Sequence, residues 1–312
     1  VIAVKTFVLP LLRRIALLLA LLAIVFVAVD LLPGSAARSA LGRDAEQAEL
    51  AAKEHELGLD RALPVQFWHW LSGVLTGDFG QTARGNSIAT LLADKFPQTL
   101  LLGGIALLLT VVASLVLGCW WAVRPTALGA RILQPATTVA VAVPEFVCGT
   151  LLILVFSLAT GWLPAVTITD RSGFPAGPEM LILPVLALAI PQIGWNARVV
   201  RSALQDVATA PHVESAVLDG LPVRTVLVRH MLPFAAPAIV AGYATTVGML
   251  FGGALVVETL FNYPGVGAVL AGSVADRDTA TVAAVVALTA IVIMALLAVA
   301  DFVRNWASGG AR

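Results

Sequence analysis

The sequence predicts an all-α membrane protein with six transmembrane helices, and two observations carry that prediction. Of its 312 residues, 59% are hydrophobic and only 12% are charged, against about 25% charged in a soluble domain; the mean hydropathy is +0.93. The second observation is run length. A helix rises 1.5 Å per residue, so about 20 apolar residues cross a hydrocarbon layer about 30 Å thick. Such runs occupy 15–32, 99–123, 133–158, 180 to about 200, 234–261 and 279–303. The same composition argues against a soluble enzyme and against disorder, which needs low hydrophobicity and high charge. A formal charge of +0 gives no electrostatic case for nucleic acid.

The first run ends at Leu31-Leu32-Pro33-Gly34. Its basic start and the small residues Ser35, Ala36, Ala37 and Ala40 resemble a secretory signal, but an 18-residue run is read as a retained helix. Basic residues orient the chain. With the N-terminus in the cytoplasm, the inner segments hold Lys5, Arg13, Arg14, Arg124, Arg131, Arg198, Arg201, Arg224, Arg229, Arg304 and Arg312, while the short outer loops hold Arg171 and Arg277. Positive charge concentrates on the cytoplasmic side, so both termini are expected there. The organisation is then 1–32, N-terminal segment and first span; 33–97, an extracytoplasmic loop; 98–303, the core of spans two to six with an inner loop at 198–233; and 304–312, a cytoplasmic tail.

Within 33–97, the Ala-, Glu- and Leu-rich stretch 44–57 favours helix. Pro64 opens a second helix, with Phe67, Leu71, Val74 and Leu75 on one face and Trp68 and Trp70 flanking it. Two readings stay open: a helix lying at the membrane interface, where Trp is enriched, or a packed subdomain covering its own apolar face. Gly77-Asp78-Phe79-Gly80 reads as a turn.

In the fourth run, Pro184 and Pro191 suggest kinks, and Gln192, Trp195 and Asn196 are polar groups at membrane depth. With Glu258, near the outer end of the fifth run, Gln192 and Asn196 are candidates for a pathway or gate. Packing against helix five or a sister subunit, and for Glu258 a loop salt bridge, are the alternatives. Asp30 and Asp301 lie near interfaces and read as solvated ends. Gly248 and Gly252 form a small-xxx-small pair beside Gly242 and Gly253, a face expected to pack against a partner chain. Cys119 and Cys148 sit inside apolar runs and read as small core residues.

The inner loop is polar and helical in composition. Pro211 opens a short helix, Gly220 closes it with a left-handed cap, and Pro222 prevents continuation and starts a second helix. Glu214 suits the positive end of the first helix dipole; Arg224 and Arg229 lie on the second.

The order Glu214-Ser215-Ala216, three residues, Gly220, nine residues, His230-Met231-Leu232-Pro233 resembles the EAA loop of ABC-importer membrane subunits. It departs at Ser215, where Ala is usual, and at His230, where Ile is usual. Arg229-His230, the outer Pro64-Val65-Gln66-Phe67-Trp68 with Gly77-Asp78-Phe79-Gly80, and Val257-Glu258-Thr259-Leu260-Phe261-Asn262-Tyr263-Pro264-Gly265-Val266-Gly267 resemble the dipeptide and oligopeptide branch. The resemblance implies a type I ABC importer permease fold, in which the short helix docks on a cytoplasmic ATPase. It implies that Glu214, Ser215, Ala216, Gly220, Arg224, Arg229, Leu232 and Pro233 couple to that subunit. It also implies as partners a second homologous permease in a heterodimer, one or two ATPases carrying ATP and Mg, an extracytoplasmic binding protein and membrane lipid, with no cofactor on this chain. Relatives of the branch also carry nickel, haem and other small solutes, so another solute stands beside peptide. A proton-coupled carrier or intramembrane enzyme is the rival class, but no paired acidic or His groups lie centrally in the spans.

No G-x-x-x-x-G-K-[ST] phosphate loop occurs: Lys5, Lys53 and Lys95 follow no glycine. ATP hydrolysis must therefore reside on another subunit, and this chain is expected to have no catalytic site. His55, His69, His212 and His230 fall on both sides of the expected membrane, so they read as solvated or packed side chains, not as a metal site.

Overall fold

The computed structural model describes residues 2–42, 44–171 and 173–309, with side chains over 12–303 apart from Arg43 and Ser172. Arg312 and the side chains of Lys5 and Arg304, counted above for orientation, lie outside the described residues. In chain order the helices are α1 (Ile2–Asp30), α2 (Ala36–Leu41), α3 (Gln47–Glu56), α4 (Leu63–Leu75), α5 (Ile88–Val123), α6 (Leu128–Ala142), α7 (Glu145–Leu152, continued by the π-helix Ile153–Ala159), α8 (Glu179–Ala208), α9 (Pro211–Leu218), α10 (Val223–Thr225, followed by the π-helix Val226–Met231), α11 (Leu232–Leu260), α12 (Val266–Asp276) and α13 (Thr279–Gly309). β-pairing among the described residues is confined to the isolated bridges Gln81–Ser87 and Thr169–Pro175.

Among the described residues, five helices are long and apolar enough to cross a membrane, or six if one bent pair forms a span. That pair corrects the straight third span expected at 133–158. α6 and the α7 helix bend by 109° at Val143 and Pro144. Proline has no amide for the preceding turn, and its ring drives the residue before it into extended backbone; Val143 has ψ 119° and Pro144 ψ 150°. Elsewhere the spans keep their places but the helices overrun them. α5 begins at Ile88 and carries Pro97 inside it. α8 passes Pro184 and Pro191 without a break and continues to Ala208. Apolar runs mark the hydrocarbon, and backbone hydrogen bonding lets a helix continue beyond it.

The chain divides into two compact units. The first comprises 1–98 and 265–294. Here α4 of the 33–97 segment packs its aromatic face on α1. Phe26 of α1 meets Phe67 edge-on at 5.2 Å between centroids and Trp70 at 5.3 Å. Trp70 is buried while Trp68 is 69% exposed, so the aromatic face of α4 lies against α1. The Gly77–Gly80 turn is present: both glycines have positive φ, and the Asp78 carboxylate accepts from the Gly80 amide at 2.9 Å. The loop that follows is tied to the start of α13 by buried Asp278. Its carboxylate accepts from the Ala83 amide at 2.9 Å, the Thr281 hydroxyl at 2.8 Å and the Thr281 amide at 3.1 Å. Asp278 thus caps α13 and holds a residue 195 positions away. Arg84 pairs with Asp276 at 3.0 Å, and Arg277, in left-handed backbone, donates to the Pro33 carbonyl.

The second unit comprises 99–264 and 295–312. α8 is its centre, packed on α6, α7 and α11. Leu102, Leu183, Leu188, Leu250, Val257, Phe261 and Tyr263 form the main apolar core. Small residues set the helix spacing. A Cβ on Gly118 would stand 2.6 Å from Val200 Cβ, an approach that only glycine permits, and one on Gly194 would sit tightly, 3.1 Å from the Thr137 carbonyl oxygen. Cys119 is half-buried and Cys148 buried, both as free thiols.

Candidate functional site

The predicted elbow between α8 and α11 folds as its punctuation requires. Pro211 stands in the first turn of α9, where a missing amide costs no helical bond. At the other end Gly220 has φ +73°. Its amide donates to the Val217 carbonyl at 3.0 Å, and the Leu221 amide donates to the Ala216 carbonyl at 3.2 Å. These two bonds form a Schellman cap. A Cβ at Gly220 would meet nothing within 4 Å, so glycine serves the backbone conformation there and not a close approach. Pro222 then caps α10 rather than standing inside it; its carbonyl accepts from the Thr225 and Val226 amides at 2.8 and 3.1 Å.

The two faces of α9 differ. Val213 and Ala216 are buried against Val226, with Val207, Ala210 and Met231 around them. The other side and the turn beyond it expose Val217 at 59%, Leu218 at 81%, Leu221 and Val223. Glu214, Ser215, Asp219 and Arg224 are exposed around this apolar tip. Arg229 is exposed on the π-helical turn, Leu232 packs partly buried at the foot of α11, and Pro233 stands in the first turn of that helix. The elbow residues predicted from spacing therefore occupy one connected structure, with Ala216 facing in and Glu214 facing out.

His212 was not among the predicted elbow residues. Its Nε2 lies 3.0 Å from the His230 carbonyl oxygen, and its ring packs on Phe234 with centroids 4.3 Å apart. A carbonyl only accepts, so Nε2 carries the proton. The partner is a backbone atom 18 residues away, and no local sequence pattern announces such a contact.

The membrane-depth candidates separate. Gln192 and Asn196 are one turn apart on α8 and both 1% exposed. Asn196 Nδ2 donates to the Gln192 carbonyl at 2.8 Å and to Thr246 Oγ1 on α11 at 2.7 Å. Asn196 is thereby bonded to α11, and both side chains are buried within this chain. Thr246, which the sequence reading missed, completes the contact and donates in turn to the Gly242 carbonyl at 3.1 Å. Glu258 lies twelve residues further along α11, about 18 Å at helical rise, and is fully buried. Its carbonyl accepts from the Tyr263 amide at 2.8 Å. The Tyr263 phenol is pushed up from its ordinary value by burial and then by neighbouring Glu258. Trp195, by contrast, borders a cavity of about 420 Å³ with Trp121, Gln134, Arg198 and Arg201, and the Arg201 guanidinium lies 4.2 Å above the Trp121 ring.

On α11, Gly242 packs toward Val199 and Gly253 toward Glu145, whereas a Cβ on Gly248 or Gly252 would meet nothing. Thr245, Met249, Gly252, Val256 and Thr259 are exposed on the same stripe. Among the described residues no three His, Cys, Asp or Glu side chains converge as a metal site.

Residues 114–310 match the family described as binding-protein-dependent transport system inner membrane component, and residues 4–103 match its N-terminal companion. A probable peptide ABC transporter permease protein, y4tP, of Sinorhizobium fredii is 32% identical over 273 residues, 86% of this chain and 87% of the relative. The glutathione transport system permease protein GsiC of Salmonella choleraesuis is 34% identical over 269 residues, 86% of each chain, and GsiC of Escherichia coli K12 is 32% identical over 256 residues, 82% of this chain and 81% of the relative. Among solved structures, a chain of the MetNI methionine ABC transporter in an inward-facing conformation aligns with a TM-score of 0.55 at 16% identity, covering 70% of this chain and 96% of that one. This likeness gives the fold, that of a type I importer permease.

Proposed function

We propose that this chain, which belongs to the family of binding-protein-dependent transport system inner membrane components, is the permease subunit of an ATP-driven importer of peptides and passes ATP-driven motion to its spanning helices through α9. The relatives' names, peptide permease and glutathione permease, support peptide as the solute class. The observation that carries the coupling role is the two-faced α9: Val213 and Ala216 hold it to its own chain, while Leu218 and its apolar neighbours are left without cover. An apolar tip on a rigid, capped helix suits a groove on a cytoplasmic ATPase, with Glu214, Arg224 and Arg229 at its rim.

In this reading ATP and Mg are held by the ATPase subunits. An extracytoplasmic binding protein delivers peptide, and both termini of this chain are cytoplasmic. A second homologous permease covers the open Gly248–Gly252 stripe of α11, and the two chains enclose the path between them. Asn196 and Thr246 fix α8 to α11 so that the pair moves together, and buried Gln192 and Glu258 stand beside the path, Glu258 near its outer end. The cycle needs two conformations whose relative energy changes with the nucleotide state of the partner.

The test is co-purification of the chain with its ATPase and sister permease, followed by peptide-stimulated ATP hydrolysis in lipid vesicles. Stimulated hydrolysis with peptide uptake supports the reading. Solute movement by this chain alone, or full ATPase retention after removal of 211–221, overturns it.

A further inference from the structure

α9 can displace α11 only if the two are fixed to each other, and most of what joins them is unsuited to that. The contact of Val213 and Ala216 with Val226 and Met231 is apolar. Such contacts are non-directional, so they resist separation but set no register: α9 can roll or slide on them. The backbone between the two helices is also compliant. It passes the left-handed Gly220, Pro222 and a three-residue helix before the π-helical turn Val226–Met231. Pushing α9 would be absorbed in this linker unless something crosses it.

His212 does. It stands in the first turn of α9, and its Nε2–H donates to the His230 carbonyl in the π turn at 3.0 Å while its ring packs on Phe234 in the first turn of α11. The bond fixes a direction and a distance. Its acceptor is well placed. It lies in the π-helical turn Val226–Met231, next to the start of α11.

We infer that His212 is a positioning residue for coupling: its hydrogen bond to the His230 carbonyl holds α9 in register with the foot of α11, so that displacement of α9 by its partner reaches the spanning helix. The inference rests on the reading of α9 as the element that docks on the ATPase.

The experiment uses the full complex in vesicles, reads peptide imported per ATP hydrolysed, and compares wild type with three variants. His212→Phe keeps a ring against Phe234 but has no donor. His212→Met keeps bulk and has neither. His212→Gln restores an amide donor without the ring. Losing one hydrogen bond of this kind is expected to lower the ratio about fivefold in Phe and Met, with the complex still assembled, and Gln is expected to recover at least about half of it. Wild-type ratios in Phe and Met overturn the inference, as does a Gln variant no better than Phe. Failure of Phe and Met to assemble assigns His212 to folding and overturns it too. If the wild-type complex hydrolyses ATP without moving peptide, it is the underlying peptide reading that fails, and the two failures are told apart by the wild-type measurement.

Discussion

The 33–97 subdomain and the 198–233 elbow are both polar segments set among apolar helices, and they are held by opposite means. The subdomain is pinned by side chains: Asp278 receives three hydrogen bonds, Arg277 reaches Pro33, and three aromatic rings meet across α1 and α4. The elbow is shaped by its backbone, through Pro211, the Gly220 cap, Pro222 and a π-helical turn, with one side-chain bond across it from His212. Side-chain pins make a part that keeps its shape. Backbone punctuation makes a joint whose angle is defined while its outer surface stays free for a partner.

The contrast predicts that the elbow fails most severely through its backbone. Gly220→Pro cannot adopt φ +73°, since proline is locked near −65°, and it deletes the amide bonded to Val217; about 3 kcal/mol or more is at stake. ATP-dependent uptake in vesicles should fall about a hundredfold, while the protein still reaches the membrane fraction. Uptake at wild-type level would remove the elbow from the mechanism.

In the subdomain, the largest effect should come from one carboxylate. Asp278→Ala leaves the Ala83 amide and Thr281 without their buried acceptor, costing about 2–3 kcal/mol of local stability. Hydrogen exchange at residues 80–88 should quicken about 30-fold or more, with α9 unaffected. Equal quickening in α9 would erase the distinction between the two regions.

A smaller effect tests the free face of the elbow. Leu218 is 81% exposed, so Leu218→Asp should leave the melting of the isolated permease unchanged. If the partner buries that side chain, about 1.5–3 kcal/mol of contact is lost, and ATPase retention on co-purification should drop about tenfold or more. Unchanged retention places the docking surface elsewhere.

How much of this was legible in the sequence follows from the same contrast. Backbone devices leave local marks, so Pro211, Gly220 and Pro222 could be placed on the elbow from their spacing. The apolar runs gave the spans because hydrocarbon solvates only apolar side chains. Long-range pins leave no such mark. His212 to His230, Asp278 to Ala83 and Asn196 to Thr246 join positions whose separation nothing local encodes, and all three were missed. The bend at Val143–Pro144 had a local sign in Pro144, but the apolar run continues through it, and hydropathy alone cannot tell a straight rod from a bent one. Gln192 and Asn196 could be read as polar groups inside an apolar run. The Asn196 side chain faces α11, and one span's own sequence does not state which neighbour it faces.

The weakest pin sharpens the comparison at its other limit. His55 Nδ1 lies 2.7 Å from Asp60 Oδ2 at the α3–α4 junction, with both side chains well exposed. The hydrogen bond from His55 holds the Asp60 carboxyl below its ordinary value of 3.8. A carboxyl depressed on folding contributes stability above its unfolded pKa and loses that contribution as pH falls through its folded pKa. Asp60→Asn should therefore loosen the junction slightly at neutral pH and not at all in strong acid, where the wild-type group is itself protonated. Exposure and salt screening keep the difference small. Hydrogen exchange of residues 57–66 in both proteins, followed down the acid limb, reads it. An equal difference at neutral and acid pH would mean that Asp60 acts there by shape and not by charge. The pinned subdomain would then owe its rigidity to the buried carboxylate of Asp278 and its aromatic contacts, with no share from its surface pair.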